Sequence, residues 1–231
     1  MNASRPGMTI PLRDQLAALE AEHATLRAEL SAFESDYLRA VGVVMAELHE
    51  LEARILALVA MRSGTPDDEA AADAARARAR ETTTAIRSIP PPPGPPPTED
   101  LKTLFREAAK RMHPDLVADP DGRVHAEAFM KRLNDAYRDG DADAIANLVR
   151  QWESSPYASG GDDSSERLLR AAVADAQRRL EDARSTELAK LMERSLIASM
   201  EGRDLLLELR REAEAALVSG RARLAALEAS S

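Results

Sequence analysis

The chain has 231 residues, of which 31% are charged and only 3% aromatic, with a formal net charge of −9 and no cysteine. That balance excludes a large aromatic-filled sheet or barrel core, disulfides, thiolate catalysis and thiolate metal sites. It also argues against nucleic-acid binding by the chain as a whole, because phosphate contacts need concentrated basic surface. No segment alternates polar and apolar residues convincingly, so the expected fold is all-α: long coiled-coil helices flanking a small helical module. His23, His49, His113 and His125 lack ligand spacing, and neither a metal nor a cofactor is expected. No apolar run approaches the roughly 18 residues that span a bilayer, and the N-terminus lacks the apolar core of a signal peptide, so no membrane association and a cytoplasmic location are expected.

Met1 to Pro11 reads as a flexible leader. From Leu12 an apolar seam runs through Leu16, Leu19, His23, Leu26, Leu30, Phe33, Tyr37, Val41, Val44, Leu48, Leu51, Ile55 and Leu58. Its spacing alternates four and three, with one extra four around Tyr37, which predicts a coiled coil with a single stutter. The rod would be roughly 75 Å long at 1.5 Å per residue. His23 reads as a tolerated seam residue, and Gly42 as either a close helix crossing or a weak point. Ser63-Gly64-Thr65-Pro66 combines a C-terminal cap, an N-cap and a proline at the first helical position, followed by Asp67, Asp68 and Glu69 at the positive end of the helix dipole. A helix folding back to about Arg87 follows, making residues 12–88 one helical segment. Its Ala74 to Arg80 stretch reads as a solvated face packing through alanines, since no aromatics are interleaved.

Residues 89–97 contain the run Pro90 to Pro97, broken once by Gly94, which predicts a semi-rigid polyproline II spacer holding the next module away from the rod. That module, residues 98–153, opens with Thr98 as N-cap and Glu99 and Asp100 in the first turn. Leu101, Leu104, Phe105, Ala108 and Met112 form one apolar face, while Lys102, Arg106 and Lys110 lie on another with Arg111 beside them. Pro114 ends the helix and pushes His113 into a surface turn. A second helix carries Phe129, Leu133, Ala136 and Tyr137 at matching spacing, completing a hairpin with a small shared core.

Asp139-Gly140-Asp141-Ala142-Asp143 reads as a helix break with a new N-cap rather than a calcium loop, because the remaining ligand positions of such a loop are missing. In the following short helix Ile145, Leu148, Val149 and Trp152 are spaced to pack back on the hairpin, with Trp152 as anchor. Residues 154–163 read as a second linker. Residues 164–231 form another long helical arm whose seam includes Leu169, Val173, Ala176, Leu180, Ala183, Ala213, Leu217, Gly220, Leu224 and Leu227, and its irregular phase implies either one or two bends, at Gly202 and Gly220, or packing against more than one partner helix. This arm can pair with the first rod or with its copy in a second chain; the sequence leaves both open, and homo-oligomers are expected.

The stretch from Leu101 through His113-Pro114-Asp115 to Leu133-Asn134-Asp135-Ala136-Tyr137 resembles the second helix, signature loop and third helix of the J-domain co-chaperones. The resemblance does not extend to a short aromatic-rich first helix, whose place is taken by the proline run, nor to the usual fourth-helix signature. It implies a non-enzymatic co-chaperone that docks on an Hsp70-type ATPase and stimulates its ATP hydrolysis. By that resemblance His113, Pro114 and Asp115 engage the ATPase, and Lys102, Arg106, Lys110 and Arg111 steer docking onto an acidic surface. Client or partner choice then falls to the coiled coils, and nucleic acid is not an expected partner. The competing expectation is a coiled-coil scaffold or adaptor whose J-like hairpin has lost chaperone coupling.

Overall fold

The computed structural model of the protein describes residues 11–89, 97–117, 119–158 and 166–230. Every regular element among them is helical. The α-helices are α1 (Leu12–Tyr37), α2 (Val43–Ser63), α3 (Pro66–Arg87), α4 (Glu99–Met112), α5 (Pro120–Arg138), α6 (Ala142–Glu153), α7 (Glu166–Ser185), α8 (Glu187–Met200) and α9 (Leu205–Ala229). The expected leader up to residue 10, the proline run from 90 to 96 and the second half of the expected linker after α6 lie outside the described residues. No described helix is long and apolar enough to cross a membrane.

The chain divides into two compact units, Met1–Leu30 with Pro93–Ala189, and Ser31–Pro92 with Lys190–Ser231. Each therefore combines stretches distant in sequence, cutting across the segments marked by chain order.

In the first unit α4, α5 and α6 share a core of Phe105, Met112, Leu133, Tyr137, Ile145 and Trp152, all 2% exposed or less. The Phe105 and Tyr137 rings meet at 4.7 Å, and Trp152 meets Phe129 edge-on at 5.6 Å. Gly140 turns the chain at φ 72°, and Asp141 then caps α6 by accepting the Ala144 N–H at 2.8 Å. The acidic turn is thus a helix break and cap, as its composition suggests.

One expectation fails here. The hairpin is not held away from the first helix: Ala17, Ala21 and Ala24 of α1 belong to the same buried core as Phe105 and Leu133. These alanines recur at i, i+4 and i+7, an apolar face beside the leucine seam. Their small side chains leave room for the larger residues of the hairpin, while adding little to a hydropathy pattern dominated by leucine.

In the second unit α2 packs with α3 and α9. Gly64 ends α2 in the left-handed region at φ 62°, and Thr65 caps α3 by accepting the Asp68 N–H at 3.3 Å. Leu51 and Ile55 of α2 share a core with Leu217 and Leu224 of α9, so the C-terminal seam is filled within one chain. α9 runs unbroken through Gly220; a Cβ there would lie 2.7 Å from Leu51 Cδ2, so the glycine permits close approach. Gly202, at φ 75°, does separate α8 from α9. Between α1 and α2 residues Leu38–Gly42 are π-helical, and this wider turn accommodates the one-residue slip in the heptad spacing after Tyr37. Gly42 itself is buried; a Cβ there would lie 3.2 Å from Leu38 Cδ2 and in ordinary contact, 3.8 Å, with Ile86 of α3.

Candidate functional site

The site grows from the end of α4. Thr98 caps the helix by accepting the Leu101 N–H at 3.2 Å, Glu99 and Asp100 occupy the first turn, and Lys110 and Arg111 the last, each charge opposite the helix dipole. Leu101, Phe105, Ala108, Ala109 and Met112 are buried, which fixes the rotation of α4 and sends its cations to the rim. Pro114 cannot donate a helical backbone bond, so His113 leaves the helix in an extended conformation, φ −66° and ψ 129°. Pro114–Leu116 then form one 3₁₀ turn, with the Leu116 N–H bonded to the His113 carbonyl at 3.0 Å.

The turn presents its residues unequally. The Asp115 side chain is 47% exposed, Pro114 is half-buried, and His113 is only 5% exposed. The expectation of His113 in a surface turn is therefore corrected: proline takes it out of the helix, but other helices cover it. His113 Nδ1 accepts the Asp115 backbone N–H at 3.2 Å, so the proton its ring presents on the other side is on Nε2, 3.3 Å from Glu20 Oε1 of α1.

Glu20 is itself buried, and Arg179 of α7 donates to both its carboxylate oxygens, at 2.6 Å and 3.5 Å. Arg179 is held in turn by Asp175 at 3.1 Å. Burial alone would raise the Glu20 carboxyl; the hydrogen bonds from His113 and Arg179, with the charge of Arg179, outweigh it and hold the group at about 2. His23, one helical turn along, is pushed below the usual histidine value by burial, against the pull of Glu20 and with the help of Arg179 and Arg27. An apolar layer accompanies this polar group: Leu116 is buried among Leu16 of α1 and Leu169, Val173 and Ala176 of α7.

The four cations expected to face a partner all have bonds within the chain. Lys102 donates to Glu99 at 2.8 Å, and Lys110 contacts both Glu107 and Asp14 of α1 at 2.8 Å. Arg106 donates to the Lys102 carbonyl and to Thr103, while Arg111 pairs with Glu153 of α6. Between α1 and α4 an open groove of about 370 Å³ is lined by Thr25 and Glu29 on one side and Lys102 and Arg106 on the other. Tyr137, which closes the second hairpin helix, is 1% exposed and shares a 2.7 Å hydrogen bond with Thr25.

The seven residues marked from sequence thus lie on α4 and the turn after it, but sequence reasoning missed Asp14, Glu20, Glu153 and Arg179. Glu20 and Arg179 are separated from the residues they hold by 93 and 159 positions, so no local motif joins them. The one usable signal is the alanine face of α1, which flanks Glu20. Among the described residues no cluster of three or more His, Asp or Glu side chains is arranged to hold a metal ion. No protein family, curated protein or solved structure matches the chain.

Proposed function

We propose that this chain is a J-domain-like co-chaperone that docks on an Hsp70-type ATPase through His113, Pro114 and Asp115 and stimulates its ATP hydrolysis. The observation that carries the proposal is the His113-Pro114-Asp115 turn joining a basic helix to a second packed helix. In this reading Asp115, the exposed member, makes first contact, and Lys102, Arg106, Lys110 and Arg111 set the encounter rate with an acidic surface. The chain supplies no catalytic group of its own; it acts on the turnover of its partner. The helices of the second unit are assigned client or partner choice and self-association.

The test is steady-state ATP hydrolysis by bacterial Hsp70-type ATPases with the full chain added. Stimulation that disappears with Asp115→Asn is expected. The Asp115 side chain is 47% exposed, with one oxygen 3.9 Å from His113 Nδ1, so a folded variant that stimulates as well as the parent counts against the proposal. The second reading is a scaffold or adaptor without chaperone coupling. It draws on the burial of His113 and the pairing of Lys102, Lys110 and Arg111 with acids of the same chain, and it requires that no variant with an accessible turn stimulates any ATPase.

A further inference from the structure

Resting on that reading, we infer that the loop is held shut by its own chain: α1 stands in for the acidic surface of the partner, α7 locks α1 in place, and this cover must open before His113 engages an Hsp70-type ATPase.

The residues α1 places on the hairpin are the kind a basic docking face would meet on a partner. Asp14 occupies Lys110 at 2.8 Å, Glu20 occupies His113 at 3.3 Å, and Glu29 lines the groove that holds Lys102 and Arg106. Between these acids the contact is made by Ala17, Ala21 and Ala24. Alanine buries little apolar area per residue, so this side of the cover contributes a modest gain that a competing surface can replace.

The second half of the cover is α7. It reaches α1 through the Arg179–Glu20 fork and an ion pair from Arg184 to Glu22, and it reaches the turn through Leu169 and Val173 against Leu116. Only the Glu20 end of this pair is buried, the Arg179 side chain being 41% exposed, so the carboxylate loses its hydration while the guanidinium keeps part of its own, and the net stabilisation is modest. Its contribution is specific: Glu20, His113 and Arg179 are satisfied together only when α1, the turn and α7 meet in this register. Opening returns the Glu20 carboxylate to water, which suits a contact that must be released. While it is closed, a partner sees its affinity reduced by the fraction of molecules that are open.

Two variants of the full chain test this. Arg179→Glu places a like charge against Glu20, and Val173→Asp disrupts the apolar contact with Leu116 independently. Diethyl pyrocarbonate modification of His113, followed by mass spectrometry with His49 as internal reference, reads the cover without any chaperone. In a helical, folded sample, His113 is expected to react at least about tenfold faster in Arg179→Glu, which leaves the buried Glu20 facing a like charge, and faster than the parent in Val173→Asp, which puts a charge into the apolar layer around Leu116. Stimulation of ATP hydrolysis at sub-saturating concentration is expected to rise in parallel, and Asp115→Asn in the Arg179→Glu background to abolish it. Unchanged reactivity of His113 in both variants would overturn the latch. Faster reaction with stimulation no higher than the parent's would show that the cover does not gate docking, leaving the co-chaperone reading intact. Faster reaction with no stimulation by any form would sink the co-chaperone reading and the gate with it.

Discussion

Replacing Glu20 by glutamine keeps the shape of the side chain and removes the charge on which His113 and Arg179 converge. Glu20 is 5% exposed, and its carboxyl is held at about 2 against an ordinary value of 4.5. At about 1.4 kcal/mol per pH unit, the ionised carboxylate contributes on the order of 3 kcal/mol to the first unit at neutral pH. Because the folded value is depressed, the unfolded chain binds the extra proton between these limits. The contribution is therefore complete above about pH 4.5 and is lost as the pH falls towards 2. Glu20→Gln should lower the midpoint of thermal unfolding at pH 7 by roughly 6–12 °C, followed by far-UV circular dichroism, and should flatten the acid limb of the stability curve. The groups facing Glu20 are His113 from the turn, Arg179 from α7 and His23 on α1 itself. His23 has a lowered value, chiefly through burial, so its protonation also opposes folding, but this begins nearer pH 6.5 and is removed by His23→Gln. A Glu20→Gln protein that melts with the parent at pH 7, on a parallel acid limb, would refute the assignment of that stability to the buried carboxylate.

Two further changes probe the hairpin that carries the loop. Trp152→Ala removes a side chain only 2% exposed that meets Phe129 edge-on, and it should cost about 3–5 kcal/mol in urea unfolding monitored by circular dichroism; a loss below about 1 kcal/mol would mean that α6 is not anchored there. At Gly122 a Cβ would lie 2.7 Å from Val117 Cγ1 and 2.8 Å from Tyr157 Cδ1, so Gly122→Ala should destabilise by about 1–3 kcal/mol despite alanine's better helix propensity, and a rise in the unfolding midpoint would contradict that packing.

What could be seen in the sequence was local. Gly64, Thr65 and Pro66, Thr98, Asp141 and the Leu217–Leu224 seam each carry their signal within a few residues, because caps and helical periodicity are short-range properties. The proline after His113 likewise announced the end of α4. It said nothing of burial, which depends on α1 and α7 arriving from far along the chain. The face of α1 that packs on the hairpin is masked for a different reason: its alanines contribute little to hydropathy beside a regular leucine seam whose period is that of a rod. Glycine weakens a helix, so Gly220 suggests a bend from sequence alone, while in the structure it also lets α9 approach Leu51.

The most direct test of docking with displacement is hydrogen–deuterium exchange of the full chain, alone and with an ATP-loaded Hsp70-type ATPase. The expected result is new protection over α4 and the Pro114–Leu116 turn together with faster exchange in residues 12–30, as the partner's acidic surface takes the place of α1. Protection at the turn with α1 unchanged would contradict the cover, and no change in either segment with any such ATPase would contradict docking itself.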